Sequence, residues 1–181
     1  MGERELYSDA ELVQGCKNNN RKYQELLYRK YAKKMYGICL SYATDRSMAQ
    51  DMLQDGFIKV FKKIDTFREQ GSLEGWVRRI ITNTALDYMR QKSRTFDFID
   101  HNQEVEEQQL DNSIMEKINS DGLFRIIEQL PQGARMVFNL YAVEGYTHKE
   151  IADKLEITEG TSKSQFKRAR ALLKNLIQDL I

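Results

Sequence analysis

Apolar residues recur at every third or fourth position through most of this chain, and no segment alternates with period two. That spacing is the period of an amphipathic helix, so the pattern predicts an all-α protein without a sheet. Ser8 and Glu11 stand at capping-box spacing, which predicts a short helix from Asp9. A second helix is expected from about Asn20 to Tyr42, with Leu27, Tyr31, Met35, Ile38 and Tyr42 on one buried stripe. A third runs from about Asp45 to Ile64 and turns Met48, Met52, Leu53, Phe57, Val60, Phe61 and Ile64 inward. The polar break Arg68-Glu69-Gln70-Gly71-Ser72 ends it, and a fourth helix follows from about Leu73 to Lys92. In that helix Val77, Ile81, Thr84, Ala85 and Tyr88 face inward. Arg79, Asn83, Leu86 and Arg90 then share the outer face, with Trp76 at its edge.

Residues 96–120 are acidic and lack a long apolar stripe, so they read as a solvated, flexible linker. Beyond them Leu123, Ile126, Ile127 and Leu130 predict a helix that stops before Pro131. Ala134 to Glu144 predict another, ended by Gly145 at a C-cap position. A second capping box, Thr147 with Glu150, opens a helix of about eight residues. The turn Glu156-Ile157-Thr158 then leads into a longer helix from Glu159. A short helix, a tight turn and a basic second helix make a helix-turn-helix candidate. At about 100° per residue, Phe166, Ala169, Leu172, Leu173, Leu176 and Ile177 share one face of the last helix. The other face carries Lys163, Ser164, Lys167, Arg168, Arg170 and Lys174, with no acid between Thr161 and Asn175. Solvated faces usually mix signs, so a cationic face suits DNA phosphates and base edges.

Charge sharpens this division. The chain has 28 Lys+Arg against 27 Asp+Glu, yet residues 1–95 hold 18 basic and 12 acidic side chains. Residues 96–130 hold 2 and 9, and residues 131–181 hold 8 and 6. Two basic modules around an acidic stretch suit a polyanionic partner. The single proline among 181 residues, where average usage of about 5% would place roughly nine, agrees with a helical chain. No apolar run approaches the 18 or so residues of a membrane helix, and MGERELYSDAELVQG lacks the apolar stretch of a signal peptide. A cytoplasmic protein is expected. Cys16 and Cys39 fall on separate helices without CxxC spacing, so they read as buried reduced thiols.

Three stretches carry a resemblance. Ala49-Gln50-Asp51-Met52-Leu53-Gln54-Asp55-Gly56-Phe57 is one; Trp76 through Tyr88, WVRRIITNTALDY, is the second. The third is Tyr146-Thr147-His148-Lys149-Glu150-Ile151-Ala152 followed by Glu159-Gly160-Thr161-Ser162-Lys163-Ser164. In this order and spacing, over nearly the whole chain, they resemble bacterial RNA polymerase sigma factors of the small extracytoplasmic-function (ECF) type. The resemblance implies two helical domains, residues 1–95 and 121–181, joined by the linker 96–120. The first would bind core RNA polymerase and the promoter −10 element, and the second the −35 element.

Site residues follow from the resemblance. Asp51, Gln54 and Asp55, which point away from the apolar stripe with Lys59 and Lys62, would contact core polymerase, since acids and an amide suit a basic partner surface. Phe67, Trp76, Arg79, Asn83 and Arg90 would bind the −10 element, with a pocket for an extruded base formed by the loop Phe67 to Ser72 and Asn83. Lys163, Ser164, Lys167 and Arg168 would read the −35 element in the major groove, while Thr147, Lys149, Arg170 and Lys174 would hold phosphates. The implied protein is a monomer when free, restrained by an anti-sigma factor that in this family is commonly membrane-bound. It takes no small-molecule substrate, cofactor or metal.

Two positions depart from the family's pattern. Glu156 stands where glycine is usual in the turn, and Ser162, on the core-facing side, stands where a branched apolar residue is usual. No GxGxxG, P-loop or GxSxG motif is present, and His101 and His148 have no metal-ligand spacing, so no enzyme is expected. The alternative is a helix-turn-helix regulator whose N-terminal helical domain dimerises or senses a ligand.

Overall fold

The computed structural model describes residues 7–92 and 126–178, and every regular element among them is helical. The chain divides into two compact units, Met1–Met89 and Arg90–Ile181. The expected linker, with both of its boundaries and Leu123, lies outside the described residues.

Helix α1, Asp9–Lys17, starts where the capping box places it. The Glu11 amide donates to Ser8 Oγ (3.3 Å) and the Ser8 amide to Glu11 Oε2 (2.8 Å), satisfying two otherwise orphaned donors. Asn19, at φ 54°, turns the chain, and Asn20 caps helix α2, Arg21–Tyr42, by accepting from the Lys22 amide at 3.0 Å. Leu27, Tyr31, Met35 and Tyr42 are buried as the stripe predicts, whereas Ile38 is half-buried and Cys39 takes the inner position. Asp45 caps helix α3, Arg46–Lys63, through the Met48 amide at 2.8 Å. A short 3-10 turn, Ile64–Thr66, closes it. The loop to helix α4, Leu73–Lys92, holds two left-handed residues, Glu69 (φ 57°) and Gly71 (φ 110°). Ser72 Oγ accepts from the Gly75 amide at 3.1 Å and starts α4.

Packing sets the spacing of these helices. Gly15 is buried, and the root of the Tyr23 side chain occupies the place of its missing Cβ, so α1 and α2 meet closely. Lys34 pairs with Glu74 (2.8 Å) and Lys59 with Asp87 (3.1 Å), solvent-exposed ion pairs that place α4 beside α2 at its start and beside α3 further along. Burial pushes the Cys16 thiol up to about 11 and Cys39 up to about 12, as expected for thiols inside an apolar core.

In the second unit a helical turn at 126–128 precedes Pro131, and helix α5, Gln132–Phe138, follows it. The helix expected from Ala134 to Glu144 changes character half-way. Asn139–Val143 widen into a π turn, with the Glu144 amide donating to Asn139 O at 2.9 Å. Gly145 (φ 76°) ends it. Helix α6, His148–Leu155, carries the predicted Thr147–Glu150 capping box. Glu156 then adopts the left-handed conformation, φ 56° and ψ 40°, that glycine would take at lower cost. Helix α7, Glu159–Gln178, buries Ala169, Leu173 and Ile177 against Ile126, Ile127, Leu130, Ala134 and Phe138. Phe166, Leu172 and Leu176 flank that cluster half-buried. Each fully buried Leu, Ile or Phe of the cluster contributes about 1.5–3 kcal/mol, the alanines and half-buried residues less.

Candidate nucleic-acid and partner interface

On α3, Asp51 and Gln54 are exposed, as expected, and so is Lys62. Asp55 and Lys59 are not directed wholly outward. Asp55 Oδ2 accepts from the Tyr88 hydroxyl at 2.6 Å, and Lys59 is in the ion pair with Asp87. Both side chains flank the α3 surface that meets α4, so the acids expected as one outward set split into an exposed pair and an internally bonded member. The hydrogen bond to Asp55, and then burial, push the Tyr88 phenol up to about 12. Ile58, 43% exposed, lies one turn beyond Gln54. Its apolar side chain gave no charge signal, although it shares the helical face of Asp51 and Lys62.

On α4 the outer face is narrower than the spacing predicts. Leu86 is fully buried, together with Thr82 and Met89, and so does not belong with Arg79, Asn83 and Arg90. Because α2 and α3 both hold α4, its buried sector exceeds the half-cylinder that a single packing partner would cover. Arg79 and Arg90 are exposed, and Asn83 and Trp76 half-buried, so these four still share the open sector. Phe67 departs from its expected role. It is 7% exposed and packs its ring 5.4 Å from that of Trp76. Its neighbours Arg68 to Ser72 are all exposed, leaving this short loop as the polar wall beside the aromatic pair.

In the second unit Lys163, Ser164 and Lys167 are exposed along α7 and Arg168 is half-buried. Lys163 pairs with Glu159 one turn earlier at 2.8 Å, so the cationic face has an acid at its N-terminal edge. Ser164 Oγ donates to Thr161 O at 3.0 Å. Lys149 is exposed and Lys174 half-buried. Two expected phosphate contacts are engaged elsewhere. The Thr147 amide and hydroxyl both donate to Glu150 Oε2 at 2.8 Å, and the Arg170 guanidinium lies 6.0 Å from the Phe166 ring centroid, on the flank of α7 nearer the core. His148, assigned no role by its spacing, shares a 2.9 Å hydrogen bond with buried Ser162.

Two separate basic surfaces, one on α4 and one on α7, are thus carried by two helical units. The chain matches Sigma-70 region 2 over residues 27–95 and Sigma-70 region 4 over residues 121–173. It is 30% identical over 192 residues to the ECF RNA polymerase sigma-E factor of Escherichia coli (strain K12), covering 98% of each chain. The chain belongs to the ECF RNA polymerase sigma factors. Against the sigma-E factor of Haemophilus influenzae (strain ATCC 51907 / DSM 11121 / KW20 / Rd) identity is 28%, over 98% of this chain and 99% of that one. The sigma factor RpoE of Bartonella quintana, solved with the anti-sigma factor NepR, aligns with a TM-score of 0.50 at 21% identity, covering 85% of this chain and 96% of that one. At that identity the likeness is one of fold. This sigma factor directs RNA polymerase to promoters, and the regulator alternative yields to the full-length match. No helix among its described residues is long and apolar enough to cross a membrane.

Proposed function

We propose that the sigma factor divides its task among three surfaces. Asp51 and Gln54 on α3 meet core polymerase, with Asp55 contributing through the lone pairs that Tyr88 leaves open. Trp76, Arg79, Asn83 and Arg90 on α4, beside the loop Arg68 to Ser72, bind the −10 strand once it is unpaired. Lys163, Ser164, Lys167 and Arg168 on α7 read the −35 element, and Lys149 and Lys174 hold phosphates. Phe67 packs its ring against Trp76 and does not itself meet DNA. The protein performs no covalent chemistry; differential binding to the unpaired strand favours melting. It acts in the cytoplasm, where promoters are, and is monomeric when free. The structure of the Bartonella quintana sigma factor with NepR supports restraint by an anti-sigma factor here too.

The observation that carries this reading is the open sector of α4. An indole, two guanidiniums and an amide line it, next to a loop with two left-handed residues. Those groups match the π-faces, phosphates and base edges that unpaired DNA exposes. The test is run-off transcription with core polymerase on duplex and pre-melted templates. Asn83→Ala should slow opening of the −10 region and relax preference at one base there, while core binding stays intact. Pre-melting should recover part of the rate and none of the base preference. A variant that keeps the parent's preference on both templates would leave Asn83 a surface amide.

A further inference from the structure

The helix-turn-helix contains a polar and aromatic brace that its basic residues do not explain. Ser162, in the first turn of α7, is fully buried, so its hydroxyl must find a partner inside the unit. That partner is Nδ1 of His148, the first residue of α6, at 2.9 Å. The His148 ring stacks on Tyr141 of the π turn, with centroids 4.4 Å apart and planes at 16°. It also meets the edge of Phe166 at 5.8 Å, and Tyr141 in turn meets Phe166 at 4.5 Å. His148 therefore touches α7 at Ser162 and at Phe166, two points one turn apart on the same face of that helix.

At about 100° per residue, Lys163, Ser164, Lys167 and Arg168 occupy the side of α7 opposite Ser162. A pin at Ser162 fixes the rotation of the helix about its axis, and the second point at Phe166 fixes its advance along that axis. We infer that His148 is the positioning residue of the −35 reader: by bonding Ser162, stacking on Tyr141 and meeting the edge of Phe166, it sets which side chains of α7 reach base edges. The inference rests on the proposed role of α7. It gives a use to a serine at a fully buried position, since an apolar side chain could pack there but not bond an imidazole. Burial, and then Lys163, hold His148 below its usual value against the opposing pull of Glu159.

The test uses the full chain reconstituted with core polymerase on a promoter library varied at the −35 element. His148→Phe keeps a ring for the stack and removes the bond; Ser162→Ala removes the other partner; the double variant removes both. Each single change should flatten the −35 base preference and weaken −35-dependent binding by about three- to tenfold, the range of one hydrogen bond. The double variant should be no worse than the poorer single one, because the two act through one bond. Core binding and initiation on a pre-melted −10 template without a −35 element should match the parent. If the singles lower the thermal midpoint yet keep the parent's base preference, the pair is only a structural bond and the inference fails. Lys163→Ala and Arg168→Ala separate the two claims. If they alter the preference while the His148 and Ser162 variants do not, α7 remains the reader and only the positioning role falls. If none of them alters it, the reading of α7 and this inference fall together.

Discussion

Glu156 ends α6 at φ 56° and ψ 40°, where its Cβ crowds the backbone, and glycine would not. The amide still donates to Ala152 O, so the helix end is satisfied and the cost lies in the residue's own conformation. Glu156→Gly should stabilise the C-terminal unit by about 0.5–1 kcal/mol, the strain relieved less the extra freedom gained by the unfolded chain. The thermal midpoint should rise; an unchanged or lower midpoint would show that the glutamate is held there without strain. This position was legible in advance through the family resemblance, which places glycine in the turn where this chain has Glu156. Phe67 was not. The resemblance put it in the DNA-facing loop, and only the three-dimensional path of the chain packs its ring against Trp76.

At the scale of helices, close approach decides more than periodicity does. Gly15→Ala would place a Cβ against the Tyr23 side chain at its root, which cannot swing aside as a side-chain tip can. That overpacking should cost about 1–3 kcal/mol and part α1 from α2, visible as a lower thermal midpoint of the N-terminal unit. Gly37, where nothing lies within 4 Å of an added Cβ, supplies the control: Gly37→Ala should be neutral or slightly stabilising. The starts of α1, α2, α3 and α6 were accurate because the caps Ser8, Asn20, Asp45 and Thr147 sit at those boundaries. The faces were less so. Leu86 joined the outer set because a helical wheel assumes one packing partner, and α4 has two. The same assumption set Asp55 wholly outward, whereas Tyr88 reaches it from the neighbouring helix.

For the whole molecule, near-neutral charge governs how it meets DNA. With 28 basic and 27 acidic residues, the free protein has little excess charge to draw it to duplex phosphates. At physiological salt it should bind promoter duplex weakly. Core polymerase should convert this to site-specific binding, because two weak modules held at one spacing act together at high effective concentration. Electrophoretic or fluorescence titration with and without core checks this. Tight, site-specific binding by the purified chain alone would contradict it.

The sequence by itself determined the helical class, the placement of the caps, the division of charge and the three stretches that mark the family. Each is encoded locally: a period of three or four residues, a side chain three positions from the amide it caps, a run of like charges. Tertiary structure alone decided which polar groups are spent within the protein. Asp55 bonds Tyr88 across 33 positions of sequence, and His148 bonds Ser162 across 14. A hydrogen bond between helices depends on their relative rotation and distance, and these are set by how buried side chains such as Ile81, Leu86 and Leu173 fill the space between them, which no local pattern records.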